Sequence, residues 1–109
     1  MDVRITTRHC SISDTLRRRT NERLEALQRY EPTLTAADVR FASDHGSPAA
    51  EVRLILRRTT LQAGAGGETF QTALDAAVAR AERQLRRRRE RLTDHKGATV
   101  EPPAEVVTS

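Results

Sequence analysis

The stretch 70–92, FQTALDAAVARAERQLRRRRERL, decides how this chain folds. It contains no glycine or proline and is rich in Ala, Leu, Gln and Arg, which are strong helix formers. At 1.5 Å per residue the predicted helix, from about Phe70 to Leu92, is roughly 35 Å long. Thr69 is placed to cap it. On a wheel of 100° per residue, Phe70, Leu74, Ala77, Val78, Ala81, Leu85 and Leu92 make one apolar stripe. Such a helix needs a flat apolar surface to lie on, and the residues before it provide one.

Glu51–Arg57 reads as a strand, with Val52, Leu54 and Leu56 on one face. Thr59–Ala65 follows as a shorter strand held by Leu61 and Ala63. Arg58-Thr59 is not a favoured hairpin pair, and Gly64, Gly66 and Gly67 read as loosening the chain before the helix. Ala37–Ser43 alternates with Val39 and Phe41 inward, and His45-Gly46-Ser47-Pro48 reads as the turn after it. Met1–Thr7 alternates too, with Met1, Val3 and Ile5 on one side. Between these strands Ser13 is a candidate N-cap for a first helix running to about Gln28, its inward stripe Leu16, Thr20, Leu24 and Leu27. Pro32 and Thr33 mark the break after it.

The order is therefore β-α-β-β-β-α. A strand–helix–strand unit makes a right-handed crossover between parallel strands, and the next strands follow as antiparallel neighbours. One apolar face per strand predicts an α/β (α+β) domain: a four-stranded mixed sheet with two helices packed on one face. With 109 residues there is room for one such domain, placed at 1–95, and 96–109, with Gly97, Pro102 and Pro103 and no periodicity, reads as a disordered tail.

Charge narrows the function. The net charge is only +4, yet 18 of the 19 basic residues are arginine, which keeps its charge and offers a planar fork suited to phosphate. Residues 69–92 hold seven arginines against three acids, whereas 93–109 are net acidic. Arg80, Arg83, Arg87 and Arg91 share one flank of the second helix within an arc of about 80°. Asp75 and Glu82 lie on the far side, and Glu90 is the nearest acid. Arginines in the last turn of a helix also favour its dipole, and many charge runs are only solvated faces. This stripe begins three turns before the helix ends, too far for the dipole to account for it. The first helix adds Arg17, Arg18, Arg19, Arg23 and Arg29. Two helices side by side would put both sets on one side of the molecule, a basic groove for a polyanion.

The three aromatics, Tyr30, Phe41 and Phe70, offer no base-stacking platform: Phe41 and Phe70 occupy inward positions, and the outer sheet face carries Arg4, Arg40 and Arg53 instead. Recognition of backbone and shape follows, more than of base identity. Catalysis has little support. His9-Cys10 is the one Cys–His neighbourhood, and His9, His45 and His95 lack metal-ligand spacing with Cys10. Gly64-Ala65-Gly66-Gly67 lacks the lysine of a P-loop. No cofactor, metal or small-molecule substrate is expected. A single cysteine, no signal peptide and no apolar run of membrane-spanning length predict a cytoplasmic protein without membrane partners.

The segments Ile5-Thr6, Ile12-Ser13-Asp14-Thr15-Leu16-Arg17, Ala73-Leu74-Asp75 and Glu82-Arg83-Gln84-Leu85, the last within a long basic helix, resemble the ribosome hibernation promoting factor family, also called ribosome-associated inhibitor or protein Y. The resemblance covers about residues 1–92. It implies binding to the small ribosomal subunit in the channel used by mRNA and by A- and P-site tRNA, with neighbouring ribosomal proteins as further partners. It implies rRNA contacts from Arg17, Arg23 and Arg29 on the first helix and from Arg80, Arg83, Arg87, Arg89 and Arg91 on the second. Ala26 stands where some members have lysine, and Gln71 where an aromatic is common. Long forms of the family add a domain that pairs two ribosomes; this sequence resembles the short form and is expected to be a monomer off the ribosome. Two other readings stay open: a general double-stranded RNA binder, and a protein-interaction module in which the long helix is the contact surface.

Overall fold

The computed structural model describes residues 1–94, so the expected tail lies outside the described residues. The elements are β1 (Asp2–Arg8), α1 (Asp14–Tyr30), β2 (Leu34–Asp44), β3 (Ser47–Leu56), β4 (Thr60–Gly66) and α2 (Phe70–Asp94). The strands form one sheet in the order β1-β2-β3-β4. β1 and β2 are parallel across the α1 crossover, and the other two pairings are antiparallel. This is the mixed sheet that the alternating patterns predict.

Both helices cover the same face. Leu16, Leu24 and Leu27 of α1 and Leu74, Ala77, Val78, Ala81 and Leu85 of α2 join Val39, Phe41, Val52 and Leu54 of the sheet in one buried cluster. α1 lies against β1 and β2, and α2 against β3 and β4. Phe41 is fully buried and meets Phe70 edge to face, centroids 6.0 Å apart. Thr20 is buried within this apolar layer because its hydroxyl donates to the Leu16 carbonyl, 2.8 Å away.

Several element edges differ from the sequence reading. β3 starts at Ser47, because the turn consists of His45 and Gly46 alone, at φ 53° and 81°. Two positive φ values at the centre of a two-residue hairpin match the right-handed twist of the strands. Pro48 is thus the second residue of a strand, where its missing N–H is tolerated. Gly64 and Gly66 belong to β4, paired with Glu51 and Ala49, and do not loosen a linker. β2 begins three residues early, at Leu34, through a register shift between Leu34 and Ala36.

α1 has the expected cap: the Ser13 hydroxyl accepts from the Leu16 N–H at 3.1 Å. α2 has a reciprocal one. The Thr69 hydroxyl accepts from the Thr72 N–H, and the Thr72 hydroxyl accepts from the Thr69 N–H, both at 3.1 Å. Gly67 makes this cap possible, since a Cβ there would stand 2.4 Å from the Thr72 hydroxyl and 2.8 Å from the Ala73 nitrogen. Gly67→Ala is therefore expected to cost about 1–3 kcal/mol, read as a lowered urea midpoint with unchanged m-value.

Candidate nucleic-acid interface

The arginines singled out by the sequence sort into three places. The first is the flank of α2 over the β4 edge. Arg80 and Gln84 reach this edge, Arg80 donating to the Gly64 carbonyl at 2.7 Å and Gln84 to the Gln62 carbonyl at 3.0 Å. They occupy outward carbonyls of an edge strand, a common way to blunt it. Along the same flank Arg83, Arg87 and Arg91 are exposed and have no ion-pair partner among the described residues. Arg80 is exposed as well. Four guanidinium groups thus line three helical turns.

The second place is the seam between the helices. Asp75 of α2 accepts from Arg19 at 3.1 Å and from Arg23 at 2.9 Å, and Arg23 also lies 4.0 Å from Glu82. Arg89 reaches across the seam at its other end. The two sets of arginines therefore do not form one basic groove. They lie on the same side of the sheet, but the acids Asp75 and Glu82 sit between them and are occupied by α1. The wheel put these two acids opposite the stripe; it does not say that the opposite flank is the one that faces α1. Arg19 braces α1 against α2, a role that becomes visible only once the two helices are neighbours.

The third place is the outer side of α1, where Arg17, Arg18 and Arg29 are exposed without partners among the described residues, next to Glu22 and Glu25. Of the eight arginines implied as rRNA contacts, Arg17, Arg29, Arg83, Arg87 and Arg91 are open, Arg80 is anchored at one end, and Arg23 and Arg89 are held within the protein.

Two partners of Arg89 carried no sequence signal. Glu31 is the C-cap of α1, buried, its side chain 9 % exposed. The Thr33 hydroxyl donates to its carboxylate, and the Thr33 N–H does so at 3.4 Å. The Thr33 hydroxyl bond, more than Arg89 and Arg88, holds the Glu31 carboxyl below its ordinary pKa against the opposing effect of burial. Glu31 is therefore ionised at neutral pH. Tyr30, exposed beside it, lies under the Arg89 guanidinium, 5.0 Å from the ring centroid.

The outer face of the sheet contrasts with the stripe. Arg4 stands opposite Asp38, Asp38 opposite Arg53, and Arg40 opposite Glu51 with an ion pair of 3.6 Å. Its charges alternate and nearly cancel. Cys10 is half-buried, its thiol 3.5 Å from the Phe41 carbonyl oxygen. Among the described residues no cluster of His, Cys, Asp and Glu is arranged to hold a metal, and no helix is long and apolar enough to cross a membrane.

The model of the family described as sigma 54 modulation protein / S30EA ribosomal protein matches residues 3–93. No curated protein matches the sequence. Among solved structures, a ribosomal subunit interface protein from Coxiella burnetii superposes with a TM-score of 0.76 at 20 % identity, covering 83 % of this chain and 99 % of that one. The N-terminal domain of Protein Y from Thermus thermophilus superposes with a TM-score of 0.71 at 25 % identity, covering 80 % of this chain and 98 % of that one.

Proposed function

Because the chain belongs to the sigma 54 modulation protein / S30EA ribosomal protein family, and is therefore a ribosome-associated protein acting on translation, we propose that it binds small-subunit rRNA in the decoding channel. Occupying the path of mRNA and of the A- and P-site tRNAs, it silences translation and protects idle ribosomes in stress or stationary phase. It works in the cytoplasm by occlusion, without catalysis, as a monomer that also touches neighbouring ribosomal proteins.

One observation carries this reading: the row Arg80, Arg83, Arg87 and Arg91 over the β4 edge, with Asp75 and Glu82 turned to the other flank. A row of fixed positive charges on a rigid helix suits a line of phosphates. Arg17 and Arg29 add a second contact from α1.

The test is co-sedimentation with small subunits across a salt series. Each phosphate neutralised contributes about −0.7 to −0.9 to the slope of log K against log salt. Four contacts predict a roughly 100-fold loss of affinity between about 50 and about 200 mM salt. Binding that ignores salt would overturn the phosphate mechanism and favour a protein-interaction role for α2. Equal affinity for free duplex RNA would overturn the channel as the address.

A further inference from the structure

Half of the arginine row lies beyond the last fully buried apolar side chain of α2 among the described residues. Leu85 is that side chain, and Arg87 and Arg91 come after it. Turns beyond the core fray unless something holds them.

Arg89 supplies that hold. Its Nη1 donates to the Tyr30 carbonyl at 2.9 Å and to Glu31 Oε1 at 3.3 Å, while its guanidinium plane covers the Tyr30 ring. It points away from the row, about 160° from the centre of that flank on the wheel. Its partners are firm. Glu31 is buried and tied to Thr33, the Tyr30 carbonyl belongs to the last turn of α1, and a cation is favoured at that helix end.

We infer that Arg89 is a positioning residue: the bracket Tyr30–Glu31–Arg89 fixes the last turns of α2 so that Arg87 and Arg91 face outward. The inference rests on the RNA-binding reading of that row. It gives an acid, Glu31, a supporting part in holding a polyanion, although its own charge repels one.

Three variants of the full chain, Arg89→Gln, Glu31→Gln and Arg83→Gln, separate positioning from contact when binding to small subunits is followed across a salt series. Arg83→Gln lowers affinity and flattens the salt slope by about 0.7–0.9, the loss of one phosphate contact. Arg89→Gln and Glu31→Gln each lower affinity about fivefold, the scale of one partly exposed ion pair, with the slope unchanged. The sign for Glu31→Gln is diagnostic: removing a negative charge tightens polyanion binding if Glu31 is a bystander. The double variant Glu31→Gln/Arg89→Gln loses no more than either single one, because both break the same bracket.

In the free protein, Arg89→Gln speeds amide exchange at residues 86–91 while Val39 and Val52 in the sheet stay protected. A flattened slope for Arg89→Gln, unchanged or tighter binding for Glu31→Gln, or loss of protection throughout the sheet would each overturn the inference. If the unaltered protein does not bind small subunits, the functional reading fails, and the exchange experiment still decides the bracket.

Discussion

Replacing Arg83 and Arg87 together by glutamate is expected to weaken small-subunit binding by about 100-fold or more. Each arginine loses a charge-assisted hydrogen bond to phosphate, about 1.5–3 kcal/mol when well formed. Two such losses span about 3–6 kcal/mol, or roughly 10²- to 10⁴-fold, and solvent exposure pulls the value toward the lower end. Repulsion between the new glutamates and the phosphates adds to it. The substitution suits a test because it leaves the helix nearly indifferent: the two positions are four residues apart, so one like-charge pair replaces another. Helix content by circular dichroism should not change. Arg53→Glu on the outer sheet face is the matched control. It changes the net charge in the same direction, but at a site where charges already alternate across the strands. It is expected to cost less than about threefold, the scale of a single screened charge. Equal losses for Arg53→Glu and for each stripe position would mean that bulk charge, and not the row on α2, governs binding.

The row itself was legible because a helix wheel needs only the sequence and a fixed pitch. The same holds for the α1 stripe, Leu16, Thr20, Leu24 and Leu27, which is the buried set in full. What a wheel cannot supply is the neighbour of each flank. Once the sheet order is β1-β2-β3-β4 and α1 covers β1 and β2, one flank of α2 must face α1 and the other the β4 edge. Asp75 and Glu82 fall on the first and the arginine row on the second, so a single groove between the helices does not form. The strand ends were hidden for a related reason. Leu34 joins β2 only through its pairing with Leu56, twenty-two positions away, and local pattern carries no trace of that. Pro48 and Gly66 look like punctuation in the sequence, yet both lie in strands whose partners were already in place. Glu31 stayed invisible because an acid after a helix and before a proline looks like an ordinary solvated loop residue; its burial depends on Thr33 and Arg89.

Phe41→Ala is the substitution expected to do most to the fold. The side chain is fully buried on β2 and meets Phe70 at the start of α2, and the Phe41 carbonyl faces the Cys10 thiol between β1 and α1. Truncation leaves a cavity where these elements converge, at a cost of about 3–5 kcal/mol. A domain of this length has roughly 5–15 kcal/mol of stability in total, so the variant should lose about a third or more of it. The expected observation is a large drop in the urea midpoint, or a population already unfolded at 25 °C. Phe41→Leu separates the causes. It keeps most of the apolar volume but removes the edge-to-face contact with Phe70, worth about 0.5–1.5 kcal/mol, and should fall between the wild type and the alanine variant. A loss below about 1 kcal/mol for Phe41→Ala would mean that the site collapses around the missing ring, and would contradict the close packing of Phe41 against Phe70. The consequence reaches the interface as well. The row on α2 is aimed by the sheet beneath it, so small-subunit binding by Phe41→Ala should fall with the folded fraction while the salt slope of the remaining folded molecules stays the same. This separates loss of the scaffold from loss of the contacts it carries.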